Sequence, residues 1–125
     1  METAEPKIEI NREGPITVVE LLEEKILEEG PINELAQQLF QVVADNPGIN
    51  LLLSFARVKH FSSALLGTLI RLNKRVSAGG GIFKLCQIRA SLLEVFEITK
   101  LNKVFEIYRE RTEALLSYEA ENWYG

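Results

Sequence analysis

Hydrophobic and polar positions change period several times along the chain, and each change marks an element. Lys7 to Ile10 alternates, with Ile8 and Ile10 on one face, as a half-buried strand does. NREGP, residues 11–15, reads as a turn, because Gly and Pro punctuate. Ile16 to Leu22 is rich in Val and Ile and reads as a second strand, so the two segments are expected to pair as a hairpin. Glu23 to Glu29 is polar and fits a short strand or a loop.

A helical period follows. GPIN, residues 30–33, reads as a helix start with Asn33 as the N-cap, and Leu35, Leu39, Val42 and Val43 recur at helical spacing. DNPG, residues 45–48, ends that helix, since Pro47 lacks a donor and Gly48 tolerates positive φ. INLLLSF, Ile49 to Phe55, is almost continuously apolar, as in a strand buried on both faces. Leu65, Leu66, Leu69, Leu72 and Val76 draw the stripe of a second helix over Ala64 to Val76, which SAGGG stops at residues 77–81. Ile82 to Cys86 is a short strand. Ser91 to Ile98 is a helix with Leu92, Val95 and Phe96 on its inner face. Val104 to Tyr108 is a strand. Arg109 to Tyr118 is a last helix burying Ala114, Leu115 and Tyr118, and AENWYG is a tail whose Trp123 and Tyr124 either fold back or meet a partner. The order is β-β-α-β-α-β-α-β-α, an α/β fold whose later strands alternate with helices and so pair mainly in parallel.

Composition fits this picture. The chain has 125 residues, 46% hydrophobic and 26% charged, enough for one domain with its own core. Mean hydropathy is +0.02, and no apolar run reaches the length of a membrane span. METAEPKIEI is acidic and has no apolar signal-peptide segment, so a cytoplasmic location is expected. Formal net charge is -4, which argues against nucleic acid as a partner. Arg57, Lys59, Arg71, Lys74 and Arg75 form a local basic stretch, read as solvated faces of a strand and a helix.

Catalytic signals are sparse. His60 is the lone histidine and Cys86 the lone cysteine, so neither a disulfide nor a Cys/His metal motif is possible within the chain. Cys86 ends an apolar strand and reads as a buried, inert thiol. There is no G-x-S-x-G elbow. Gly79, Gly80 and Gly81 follow a helix and open a strand, the reverse of a dinucleotide loop, so C-capping and a tight turn explain them. No enzyme activity, metal or cofactor is expected. What stands out is HFSSALLG, residues 60–67, where a charged, strand-like run from Phe55 to Lys59 leads in and Ser62 and Ser63 sit between it and the helix. A serine there caps the helix, and a phosphoserine there would meet the helix dipole and free N–H groups.

LLLSFARVKHFSSALLGTLIRLNKRVSAGGGIFKLCQI, residues 51–88, resembles the STAS domain of bacterial anti-sigma factor antagonists, and SLLEVFEITKLNKVFEIYRERTEAL, residues 91–115, continues the likeness. It covers the chain well from about Pro31, and less closely from Lys7. It implies a single STAS domain, with a core of about residues 7–118 and a mixed sheet of four to five strands carrying about four helices. It also implies partner switching. The unphosphorylated antagonist binds an anti-sigma factor that is also a serine kinase, phosphorylation on serine releases it, and a serine phosphatase resets the system. The family's motif is commonly Asp-Ser-Ser-Gly-Leu-Gly. Placed on it without gaps, Ser62 stands at the aspartate, Ser63 at the phosphorylated serine, Ala64 at the second serine and Leu65 at a glycine, while Leu66 and Gly67 match. The resemblance therefore points to Ser63 as the phosphorylation site, with Ser62 as second choice. Lys59, His60, Phe61, Ser62, Ser63, Ala64, Leu66 and Gly67 are the expected partner-binding stretch. Lys100 also departs from the family, at a position where glycine is common. Some STAS domains are never phosphorylated and act as docking or small-molecule-sensing modules, which is the alternative reading.

Overall fold

The structure is a computed structural model that describes residues 5–122. Its main sheet has five strands, in the spatial order β1 (Ile8–Glu13), β2 (Ile16–Leu21), β4 (Asn50–Ser54), β6 (Phe83–Cys86) and β7 (Glu106–Tyr108). β1 (Ile8–Glu13) and β2 (Ile16–Leu21) form the expected hairpin, antiparallel with Glu13 opposite Ile16. The turn is confined to Gly14, at φ +60°, and Pro15, so Asn11, Arg12 and Glu13 belong to the strand and not to the turn. Their polarity is compatible with a strand because β1 lies at the sheet edge, where polar side chains face water.

β4 (Asn50–Ser54), β6 (Phe83–Cys86) and β7 (Glu106–Tyr108) follow in parallel. Leu51, Leu52 and Leu53 are all fully buried because successive side chains enter opposite layers. Leu51 and Leu53 join the larger core beneath α1 (Glu29–Asp45), α2 (Ser63–Ala78) and α3 (Ala90–Ile98). Leu52 joins Val18, Cys86, Ala114 and Tyr118 beneath α4 (Arg111–Asn122).

α1 begins earlier than expected. Its N-cap is Glu28, and Asn33 lies exposed inside the helix, so Asn33 is not the cap. Pro31 is tolerated in the first turn because backbone N–H groups there have no intrahelical acceptor. At the other end the Asn46 side chain donates to the Val42 carbonyl at 2.7 Å, and Gly48 takes φ +77°.

α2 ends as a Schellman cap. The Gly81 N–H donates to the Val76 carbonyl and the Gly80 N–H to the Ser77 carbonyl, both at 3.0 Å, with Gly80 at φ +86°. At Gly81 a Cβ would sit 1.8 Å from the Ile49 carbonyl oxygen, so only glycine lets the chain enter β6 here. The glycine run is therefore a cap and a close crossing, as the sequence suggested.

β7 is shorter than the expected Val104–Tyr108. Lys100 adopts φ +63°, a 3-10 turn covers Leu101–Lys103, and Val104 stays exposed. The positive φ explains the preference for glycine at this position. α4 runs on to Asn122, so the first part of the expected tail is helix; Trp123 and Tyr124 lie outside the described residues. Ala114 and Tyr118 are buried as expected, Leu115 is only half-buried at the margin of that face, and the Tyr118 hydroxyl donates to the Leu51 carbonyl at 2.5 Å.

Lys84 is a charged residue in the middle of a buried strand. Its ammonium lies over the rings of Tyr108 and Tyr118, donates to the Ser117 hydroxyl at 2.7 Å, and pairs with Glu121 and Glu106. This array compensates the desolvated charge and fastens α4 to the sheet.

Candidate functional site

The Ser62–Ser63 seam follows the central strand β4 and is held by a second, two-stranded sheet. β3 (Lys25–Ile26) pairs in parallel with β5 (His60–Phe61). The Lys59 and His60 N–H groups donate to the Glu24 carbonyl at 2.7 and 3.0 Å, and the Ser62 N–H donates to the Ile26 carbonyl at 3.0 Å. The ladder thus stops at Ser62, and α2 begins at the next residue. The strand lies at His60–Phe61 and not over the expected Phe55–Lys59, where Ala56 and Arg57 form a turn; two-residue strands are too short for alternation to show, so neither β5 nor β3 within residues 23–29 is legible as a strand. Phe61 is half-buried against Phe55 and Phe96, so the aromatic side chain anchors the backbone that the ladder aligns.

The two serines have different environments. Ser62 is the N-cap residue of α2, with φ -94° and ψ 164°, yet its side chain makes no capping bond. Its hydroxyl oxygen is buried without a hydrogen-bond partner among the described residues. The expectation that a serine here caps the helix through its side chain is therefore corrected: Ser62 holds the N-cap position, but its hydroxyl is turned inward. The residue contributes to the cap through its backbone, where the Ser62 carbonyl accepts from the Leu65 N–H at 3.0 Å. Ser63 is the first helical residue and is exposed. With no side-chain cap, the first turn keeps backbone donors and the positive end of the dipole open next to the Ser63 hydroxyl.

Around them, Lys59, His60 and Ala64 are exposed and Gly67 is half-buried. Leu66 is 5% exposed and faces the core, so it supports the surface from below instead of lining it. The basic residues do not form one open patch. Arg57 pairs with Glu20 at 2.9 Å and Lys59 with Glu24 at 3.3 Å, while Arg71 and Arg75 lie over the Phe40 ring of α1. Lys74 is exposed.

His60 and Cys86 are not brought together. His60 lies exposed on the small sheet, whereas Cys86 is buried in the main one. Burial pushes the Cys86 thiol up to about 11, only partly opposed by the Ser54 hydroxyl and by Arg111. A thiol so held is neutral near pH 7 and is not an activated nucleophile.

A hairpin leading into a mixed five-stranded sheet, helices on both faces, and a strand-to-helix seam after the central strand make up the STAS architecture. The sequence agrees: the STAS domain family matches residues 7–114, and the chain belongs to that family. Solved structures of the same fold include an anti-sigma-factor antagonist (STAS) domain protein from Planctomyces limnophilus. It is 24% identical, with 88% of this chain and 96% of that chain covered and a TM-score of 0.80. An anti-sigma factor antagonist from Mycobacterium paratuberculosis is 22% identical over 88% of this chain and 91% of that one, with a TM-score of 0.77. The Bacillus cell fate determinant SpoIIAA in its phosphorylated form is 13% identical over 89% of this chain and 98% of that one, with a TM-score of 0.64. At these identities the likeness is one of fold.

Among the described residues, no helix is long and apolar enough to cross a membrane, and no group of His, Cys, Asp and Glu is placed to hold a metal ion.

Proposed function

We propose that the protein is an anti-sigma factor antagonist that works by partner switching at Ser63. In this reading the unphosphorylated seam binds an anti-sigma factor with serine kinase activity. The kinase phosphorylates Ser63 and is released, and a serine phosphatase restores the binding form. The observation that supports it best is the exposed Ser63 hydroxyl on the first turn of a helix that has no side-chain cap. A phosphate there would accept from open backbone donors and be favoured by the helix dipole, so the fold tolerates it. It would also add up to about two negative charges to the surface that meets the partner, opposing rebinding. Lys59, His60, Ala64 and Gly67 would supply the rest of the contact surface, with Phe61, Ser62 and Leu66 holding it in shape.

The test is to recover the chain from its native cells with phosphatase inhibitors and map phosphate by tandem mass spectrometry. A parallel pull-down compares wild type with Ser63→Asp. The expected result is phosphate on Ser63, capture of an ATP-binding kinase by wild type, and loss of that capture in Ser63→Asp with an unchanged melting temperature. An unmodified Ser63 together with equal capture by both proteins would overturn the switch and favour a non-phosphorylated docking or sensing module.

A further inference from the structure

β1 is an edge strand, and its free hydrogen-bonding groups have a definite phase. The Leu22 N–H donates to the Lys7 carbonyl at 3.0 Å, which sets the phase of the hairpin ladder, while the Lys7 N–H donates to the Gln38 side chain of α1 at 2.8 Å. Antiparallel pairs alternate, so Glu9, Asn11 and Glu13 turn their backbone groups toward β2. Ile8, Ile10 and Arg12 turn theirs outward, toward an edge that no strand pairs among the described residues.

The side chains alternate as well. Ile8 packs against the core beneath α1, Ile10 is 46% exposed, and Arg12 reaches Thr17 and Asn46. Ile8 and Ile10 line an open groove between β1 and α1 together with Pro6, Gln38 and Val42. Glu9, Asn11 and Glu13 occupy the opposite face, where Glu13 is paired with Arg111 at 3.6 Å.

We propose that β1 pairs antiparallel with β1 of a second copy of this chain, about a two-fold axis through Ile10. An axis perpendicular to the sheet keeps each face on its own side, so only residues of matching parity meet. The outward groups then bond Ile10 to Ile10 of the partner subunit, and Ile8 to Arg12 of the partner subunit. The exposed Ile10 gains an apolar neighbour beside the groove. On the other face Glu9 stands opposite Asn11 of the partner subunit, a carboxylate against an amide donor; within one chain the Asn11 amide already lies 3.4 Å from the Glu9 carboxylate. The two neighbouring registers are worse. Centring on Asn11 sets Glu9 against Glu13 of the partner subunit, a like-charge pair. Centring on Glu9 brings Pro6, which has no N–H, to a hydrogen-bonding position. The edge is thus complementary to itself in one register, which is why the occupant is a second copy. β1 is separated from β4 by β2, so a dimer formed this way leaves both Ser63 seams open, and the proposal stands apart from the reading of Ser63.

The test uses the full chain. Sedimentation velocity over a concentration series compares wild type with Ile10→Lys, and mild oxidation compares Ile10→Cys with Asn11→Cys. The native Cys86 is buried and silent in such trapping. Directly opposed hydrogen-bonded positions lie about 5.5 Å apart between Cα atoms, within disulfide range, whereas Asn11 and its copy are offset along the strands beyond it. The expected result is a reversible wild-type dimer, a folded monomer for Ile10→Lys, and a covalent dimer for Ile10→Cys but not for Asn11→Cys. A wild type that stays monomeric throughout the series would overturn the proposal. So would a dimer that Ile10→Lys leaves intact, or one that Asn11→Cys traps as readily as Ile10→Cys.

Discussion

The Phe61 ring meets the Phe96 ring edge-on, with centroids 5.8 Å apart and planes at 76°. The contact ties the small sheet that aligns the seam to α3. It continues in both directions, to Phe55 at 6.3 Å and through Phe105 at 6.1 Å to Phe83 at 6.0 Å. A row of edge-on rings therefore runs from the end of β4 to the start of β6. Each such pair contributes about 0.5–1.5 kcal/mol beyond the area it buries. Phe61→Ala is expected to cost about 2–3 kcal/mol in urea unfolding, less than a fully buried phenylalanine because Phe61 is half-buried. Amide exchange at Ser62 to Leu65 should accelerate with it. A loss below about 1 kcal/mol would mean that the backbone ladder alone holds the seam.

Ser62 and Ser63 are separable by stability as well as by modification. Removing an N-cap hydroxyl ordinarily costs about 0.5–2 kcal/mol. The Ser62 hydroxyl makes no cap and is buried without a partner among the described residues, so its removal lifts an uncompensated desolvation penalty at no cost in hydrogen bonds. Ser62→Ala is expected to be neutral or stabilising by up to about 1 kcal/mol in thermal or urea unfolding. Destabilisation of the ordinary capping size would show that the hydroxyl does cap the helix in solution.

Much of the fold is legible because burial sets the period. Leu65, Leu69, Leu72 and Val76 lie on one helical face and are all buried, and the run Leu51–Leu53 is continuous because its strand is covered on both sides. Legibility fails where another force takes over. Edge position makes Asn11 to Glu13 polar inside a strand, and first-turn geometry lets Pro31 sit inside a helix. Lys84 reads as a charge on a short strand, but its environment comes from Tyr108, Ser117, Tyr118 and Glu121, a set no local pattern announces. At the seam, the order of strand, serines and helix is visible, while the inward turn of Ser62 depends on packing and is not.

Two backbone positions predict effects of opposite sign. Gly81→Ala forces a Cβ to 1.8 Å from the Ile49 carbonyl oxygen, a backbone contact that no side-chain rotation relieves. It is expected to destabilise by about 3 kcal/mol or more, placing it among large single-residue losses. Lys100 holds φ +63°, which costs a side chain about 1–2 kcal/mol and glycine very little. After the extra chain entropy that glycine loses on folding, Lys100→Gly should gain up to about 1 kcal/mol. Urea midpoints measured side by side test both. A Lys100→Gly variant less stable than wild type would contradict the left-handed conformation at that residue.

The buried thiol sets an alkaline limit. In the folded chain, desolvation lifts Cys86 from an ordinary 9.0 to about 11. Between those values the unfolded chain has released the proton and the folded chain has not, so folding takes up a proton and stability falls as pH rises. The contribution is fully present below about pH 9 and is lost through about pH 11. Tyr118 is also raised by burial, with Glu106 adding to the shift, and it extends the decline in the same direction. Urea unfolding at pH 8, 9, 10 and 11 should show a steady loss that is smaller in Cys86→Ala over the same interval. The same burial predicts that a thiol reagent at pH 8 labels the native chain only as fast as the core opens, with immediate reaction in urea. Reaction of the native chain within the mixing time would place the Cys86 thiol at the surface and remove the basis of the alkaline effect.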